Sequence, residues 1–133
     1  MKRFVARTLI VAAALICASI PLVAHHGTNA SYDPTKKVML DGVITSFTWR
    51  NPHAFVQFDV TDPKGTVVHW VGEMNSPLVL KAAGWTATTL KPGDRITMTV
   101  NPSRAGTAVC VVDRSQPVFV NGKQALGTGD SQN

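Results

Sequence analysis

The sequence predicts an all-β protein with one short helix, folded as a small OB-like Greek-key barrel of five to six strands. Segments rich in β-branched and aromatic residues alternate with turn residues along the chain, which indicates strands. The one segment with clear helix signals lies between the third and fourth of these segments. Three strands, a helix and two strands follow one another in this order in an OB-type barrel. A small β-sandwich of five or six strands is the alternative.

The predicted strands are bounded by turn residues. The first strand is long enough to bend at Gly42, and Asn51-Pro52 ends it. Residues 62–65 read Asp-Pro-Lys-Gly, which suits a tight turn, so the second and third strands form a hairpin. The predicted strands are residues 38–49, 54–61, 67–73, 95–100 and 107–113, and residues 117–122 add a short edge hairpin.

A short helix is predicted over residues 77–83. Ser76 provides the N-cap, Pro77 suits the first helical position, and Gly84 ends the helix. Trp85 follows directly, at a position where a side chain packs back onto the last helical turn. We therefore expect Trp85 to pack against the end of the helix.

The first 24 residues have the pattern of a secretory signal peptide. Residues 1–7 are basic without an acid, residues 9–20 are almost purely apolar, and a small residue stands at the exit. The apolar stretch is shorter than the roughly 20 residues that span a bilayer. We expect cleavage after Ala24, with Ala18 as the second option and an uncleaved anchor as the alternative. The mature bacterial protein is then periplasmic or secreted, without stable membrane insertion.

Cleavage changes the charge of the protein. Without residues 1–24, ten Lys and Arg face eight Asp and Glu, a net charge of +2 over 109 residues instead of +5 over 133. No basic run longer than Lys36-Lys37 remains, whereas nucleic-acid binding requires a basic stripe. The sequence therefore predicts no nucleic-acid partner.

The mature chain is long enough for one compact core. We expect a single barrel domain over residues 25–126, with an irregular N-terminal arm at 25–36 and a flexible tail at 127–133. Cys110 is the one cysteine left after cleavage, so it forms no internal disulfide and is expected in a buried strand. The chain also lacks H-E-x-x-H, G-x-S-x-G and C-x-x-C patterns and a phosphate-binding glycine loop, which predicts a protein that is not an enzyme.

The turn at residues 62–65 fixes which side chains share a face. We expect Asp59 to lie opposite His69, as an exposed cross-strand pair at the surface. His53 precedes Asp59 by about 20 Å of strand and cannot share a metal site with His69. Glu73 falls near the His53 end of the same hairpin. The opposite, core-facing side holds Val56, Phe58, Val68 and Trp70.

His25 and His26 directly follow the expected cleavage site. After cleavage at Ala24, the α-amino group and imidazole of His25 can chelate one metal ion, an arrangement suited to copper(II). His26, or His53 brought in from the barrel, can add a third nitrogen. A disordered terminus without a metal is the alternative. Copper(II) is thus the one cofactor that the sequence suggests.

These residues form a pattern that resembles an uncharacterised family of small exported bacterial proteins, known only as a domain of unknown function. The resemblance covers residues 25–101 and implies an exported, single-domain β-barrel. It implies no activity, ligand or catalytic residue. The pattern consists of His25-His26, Tyr32-Asp33, Gly42, Trp49-x-Asn51-Pro52-His53, Trp70 with Glu73, Ser76-Pro77, Gly84-Trp85 and Leu-Lys-Pro-Gly-Asp at residues 90–94.

The leading hypothesis is a non-enzymatic periplasmic binding or accessory module. In OB folds the loop between strands one and two lines the ligand groove. The predicted ligand-binding residues are therefore Trp49, Asn51 and His53 in that loop, together with Glu73. A turn that His53 merely caps is the structural alternative. Two further hypotheses are a copper(II) protein that uses His25 and a structural partner of an envelope complex, so the partner is a small ligand or an envelope protein.

Overall fold

The fold is that of a computed structural model, which describes residues 31–125. The predicted signal peptide, His25, His26 and the predicted tail lie outside the described residues. In the described part of the chain, no helix has the length and apolar character needed to cross a membrane. The strands are β1 (Val38–Thr48), β2 (Phe55–Thr61), β3 (Val67–Glu73), β4 (Arg95–Pro102), β5 (Val109–Val112), β6 (Phe119–Val120) and β7 (Lys123–Gln124), and the helix is α1 (Pro77–Ala82).

Five of the strands close into a mixed barrel. They are ordered β1-β2-β3-β5-β4, and β4 pairs again with β1. The β3–β5 pairing is parallel and the other pairings are antiparallel, while β6 and β7 extend the sheet from β4. Because the sheet returns on itself, the predicted OB-like barrel is confirmed and the alternative β-sandwich is not.

Strand β1 closes the barrel because it bends. Its residues 38–43 pair with β4, and residues 43–48 pair with β2. A Cβ atom at Gly42 would lie 2.5 Å from the carbonyl oxygen of Asp59, so only glycine allows the two backbones to approach this closely. The register then shifts between Ile44 and Ser46. The predicted bend at Gly42 is thus where β1 passes from one partner to the other.

The β2–β3 hairpin has the predicted register, with Asp59 opposite His69. Val56 and Phe58 are buried in the core, and Trp70 packs against it. The prediction that Val68 belongs to the core is wrong, since this residue is 36% exposed. The physical reason is that β5 pairs with β3 only at residues 71–73, so no further strand within residues 31–125 covers the turn end of the hairpin.

The helix and its ends follow the predicted signals. The Ser76 side chain accepts a hydrogen bond from the Val79 amide at 3.4 Å, and α1 ends at Ala82, one residue earlier than predicted. Gly84 adopts a φ of +90°, in the left-handed region. The Trp85 amide donates to the Leu80 carbonyl at 2.9 Å, and both side chains are buried in the core. The predicted packing of Trp85 onto the helix end is confirmed.

Cys110 is a buried residue of β5, as predicted. Its Sγ lies 3.7 Å from the Val71 carbonyl oxygen. Burial raises the pKa of the Cys110 thiol to about 12, so the thiol stays protonated and unreactive at neutral pH. Strand β5 is shorter than predicted, and the edge hairpin of β6 and β7 turns at Asn121-Gly122 as expected.

Candidate functional site

Three side chains form a hydrogen-bonded chain at one end of the β2–β3 hairpin. His53 Nδ1 lies 2.5 Å from Glu73 Oε1, and the Tyr32 hydroxyl donates to Glu73 Oε2 at 2.9 Å. Tyr32 is 8% exposed, the Glu73 side chain 15% and the His53 side chain 35%. The carboxylate is therefore enclosed by its two donors, and the imidazole reaches the surface.

The position of His53 follows from the way the β1–β2 loop joins β2. Glu73 ends β3 opposite Phe55, the first residue of β2, and His53 precedes Phe55 by two residues. The intervening Ala54 exchanges backbone hydrogen bonds with the chain after β3, to Asn75 at 3.1 Å and Met74 at 2.9 Å. This clamp brings the loop onto the end of β3. The expectation that Glu73 lies at the His53 end of the hairpin is confirmed.

Tyr32 comes from the N-terminal arm, which is pinned in its described part. Tyr32 forms an isolated β-bridge with Ser103. The Asp33 amide donates to the Pro102 carbonyl at 2.9 Å, and the Arg104 amide donates to the Ser31 carbonyl at 3.0 Å. These bonds hold residues 31–33 across the start of the β4–β5 loop, and the Tyr32 hydroxyl reaches Glu73 at the end of β3.

Burial and the hydrogen bond to Glu73 both raise the pKa of the Tyr32 hydroxyl, in that order of importance. Tyr32 therefore remains a protonated donor at any physiological pH. On the other side of the carboxylate, His53 donates through Nδ1, because an ionised carboxylate only accepts hydrogen bonds, and this leaves the lone pair of the neutral imidazole on Nε2. Within residues 31–125, Nε2 has no hydrogen-bond partner. This nitrogen can accept a hydrogen bond or bind a metal ion, in the way that a carboxylate supports a ligating histidine.

The structure separates the other two predicted site residues from this chain of hydrogen bonds. Trp49 is partly buried against the core and packs edge-to-face on Phe47, with ring centroids 5.8 Å apart. Asn51 is exposed on the loop and makes no hydrogen bond within the described residues. It precedes a cis peptide bond to Pro52. Trp49 thus holds the β1–β2 loop against the core, and Asn51 lies at the exposed edge of the loop.

His69 belongs to the exposed surface, as predicted. Its Nδ1 lies 2.6 Å from Asp59 Oδ1 and its side chain is 81% exposed. Among residues 31–125, no three His, Cys, Asp or Glu side chains lie close enough together to hold a metal ion. Because His25 and His26 lie outside the described residues, the predicted metal set of these two with His53 stays a prediction.

Sequence reasoning missed two residues of this region. Tyr32 is the one tyrosine of the chain, but its partner Glu73 lies 41 residues away and no local pattern connects them. Arg50 places its guanidinium carbon 5.7 Å from the centroid of the Phe55 ring. The one signal for this contact in the sequence is that Arg50 precedes Phe55 by five residues, with a turn between them.

Comparison with known proteins adds the family. No curated protein matches the chain. A family model described as "Family of unknown function (DUF6152)" matches residues 12–123, which is most of the sequence. This confirms the resemblance to an uncharacterised domain that the residues between His25 and the Leu-Lys-Pro-Gly-Asp turn suggested. The chain belongs to this family of unknown function, DUF6152.

Proposed function

We propose that this protein is a non-enzymatic, exported binding or accessory module, with its ligand bound at His53. The observation that carries the proposal is the imidazole itself, which Glu73 holds through Nδ1 while Nε2 stays open at the surface. The N-terminal sequence supports export to the periplasm or outside the cell. In OB-type barrels the loop between the first two strands borders the ligand groove, and His53 lies in that loop.

A turn-capping role alone does not require this arrangement. A histidine that caps a turn needs one backbone partner, whereas His53 is held by a carboxylate that is itself largely removed from water. Enclosing a carboxylate is unfavourable unless donors surround it, and Tyr32 supplies the second donor. Such support for one side chain is typical of binding sites, where a second layer of residues fixes the contact group.

Replacement of His53 with alanine is expected to abolish ligand binding without unfolding the barrel. The readout is native mass spectrometry of protein purified from a secreting host, which detects a co-purifying small molecule as a mass adduct. We expect the adduct on the wild-type protein and no adduct on His53→Ala. Because His53 is partly exposed and Glu73 keeps its bond to Tyr32, the melting temperature of the variant should fall by only roughly 6–12 °C, the equivalent of about 1.5 kcal/mol.

His69→Ala is the matched control, since His69 also pairs with an acid but lies on the exposed part of the hairpin. This variant should keep the adduct. A wild-type protein without an adduct, or an adduct that survives His53→Ala, contradicts the proposal. A large loss of stability in His53→Ala with an unchanged adduct supports the turn-capping role instead.

Copper(II) binding is the second candidate function, and the pinned arm favours it. Tyr32 fixes the arm to Glu73, which also holds His53. His25 precedes Tyr32 by seven residues, and an extended chain of that length spans about 23 Å. The α-amino group of a mature His25 can therefore reach His53 Nε2. Amine and imidazole nitrogens form a set that suits copper(II).

The copper(II) candidate predicts one tight site that depends on a free His25 amino group. Mass spectrometry of the secreted protein should show that it begins at His25, and titration should give one copper(II) per chain. Acetylation of the His25 amino group should weaken binding about tenfold or more, because it removes the amine nitrogen from the chelate ring. A different N-terminus, or an affinity that acetylation leaves unchanged, contradicts this candidate.

A further inference from the structure

We propose that Arg50 recognises an oxyanion, so that the ligand of the His53 site carries a carboxylate or a phosphate group. This inference rests on the proposed binding function and gives it a ligand class. It follows from three features of the β1–β2 loop: the way Arg50 is held, its place beside the His53–Glu73 pair, and the balance of charge around it.

Arg50 is held by an aromatic ring instead of an acid. Its guanidinium carbon lies 5.7 Å from the Phe55 ring centroid, and the residue is exposed. Within residues 31–125 its guanidinium has no hydrogen bond or ion pair, whereas Arg95 donates to Asp41 at 2.9 Å. A ring contact orients a guanidinium group and leaves its N–H donors free. The donors of Arg50 are thus available to a ligand.

The strand register places Arg50 beside the candidate site. Phe55, which Arg50 contacts, lies directly opposite Glu73 in the β2–β3 pairing. The Cβ atoms of such a pair are about 5 Å apart, and both side chains lie on the outer face of the barrel. Glu73 in turn holds His53. One ligand on this face can therefore contact the guanidinium of Arg50 and Nε2 of His53.

The charge around Arg50 favours an anion. Within residues 31–125, Glu73 is the acid that the strand register brings opposite Phe55, but its two oxygens already accept hydrogen bonds from Tyr32 and His53. The next carboxylate along the outer face of β2 is Asp59, about 13 Å of strand from Phe55 and paired with a histidine of β3. The open side chain beside Arg50 is the uncharged Asn51. The two parallel N–H groups of arginine match the oxygens of a carboxylate or phosphate.

The test is a titration of the mature protein with acetate and with inorganic phosphate, followed by NMR of the backbone amides and the Arg50 Nε–H group. Sodium chloride keeps the ionic strength constant, so that general screening does not change. We expect saturable shifts at Arg50 and Asn51. Arg50→Gln should weaken binding about tenfold or more, as loss of a charge-assisted contact implies. Arg50→Lys keeps the charge but lacks the two parallel N–H groups of arginine, so it should weaken binding less than Arg50→Gln.

Arg95→Gln is the matched control, because Arg95 is an exposed arginine whose guanidinium already donates to the Asp41 carboxylate. This variant should bind the anions as the wild-type protein does. The anion that binds more tightly identifies the group, carboxylate or phosphate. Absence of saturable shifts, or an affinity that Arg50→Gln leaves unchanged, overturns the inference.

The two proposals fail in different ways. If His53→Ala loses the co-purifying adduct but Arg50→Gln keeps both the adduct and the anion shifts, the role of Arg50 is wrong and the binding function stands. If the anion shifts depend on Arg50 but the adduct persists in His53→Ala, the binding site at His53 is wrong. Arg50 is exposed, so Arg50→Gln is expected to fold, and circular dichroism checks this.

Discussion

Replacement of Gly42 with alanine is expected to destabilise the barrel by about 3 kcal/mol. The added Cβ would lie 2.5 Å from the carbonyl oxygen of Asp59, a backbone atom that cannot rotate away. Strands β1 and β2 would have to separate at the point where β1 passes from β4 to β2. The melting temperature measured by calorimetry should fall by roughly 12–24 °C for a domain of this size.

Gly72→Ala provides the matched control, since Gly72 is also a buried glycine of the barrel wall. Its added Cβ would lie 3.1 Å from Val56 Cγ1, a side-chain atom that can move by a few tenths of an ångström. Alanine also lowers the entropy of the unfolded chain, which offsets part of the strain. We expect a change within about 1 kcal/mol for Gly72→Ala. Equal losses in the two variants would show that the close approach of β1 and β2 does not require Gly42.

The barrel could be predicted because its signals are local. Ser76, Pro77 and Gly84 specify a helix through the geometry of caps that lie within a few residues. In the β2–β3 turn the Asp62 carboxylate accepts hydrogen bonds from the amides of Lys64 and Thr66, both at 2.8 Å. This turn fixes the register of the hairpin, and the register in turn places Glu73 beside the β1–β2 loop.

The rest of the site depends on contacts between distant parts of the chain. The bond between Tyr32 and Glu73 exists because the arm pairs with Ser103, a residue of another loop. Nothing near Tyr32 in the sequence specifies that pairing. Val68 shows the same limit, because alternation alone predicts a buried residue, whereas its exposure depends on where β5 ends its pairing with β3. The alternation of apolar and polar residues predicts which side chains of a strand point toward the core, but not how far along the strand other residues cover them.

Removal of the Glu73 carboxylate is expected to have the second large effect. In Glu73→Ala the buried Tyr32 hydroxyl loses its acceptor, and the His53 imidazole loses the group that orients it. Two hydrogen bonds to a charged group are lost, so we expect the free energy of unfolding to fall by roughly 3 kcal/mol. Chemical denaturation measures this loss. Ligand binding should also be lost, although His53 is still present.

Glu73→Gln separates the two effects. The amide keeps the shape of the side chain, and its oxygen can still accept from Tyr32, so most of the stability should remain. Its NH₂ group, however, is a donor where the wild-type protein has an acceptor. His53 Nδ1 then accepts a hydrogen bond, and the ring proton moves to Nε2. The open nitrogen that the proposed ligand uses would no longer carry a lone pair.

The ¹⁵N chemical shifts of the His53 ring report this exchange directly. The wild-type ring should show a protonated Nδ1 and an unprotonated Nε2, and Glu73→Gln should show the reverse. The tautomer change should accompany weaker binding of the co-purifying ligand or of copper(II), with a stability close to that of the wild-type protein. If the ¹⁵N shifts of the His53 ring and the ligand affinity are the same in both proteins, Glu73 does not set the tautomer of His53. Its carboxylate then only holds the N-terminal arm through Tyr32.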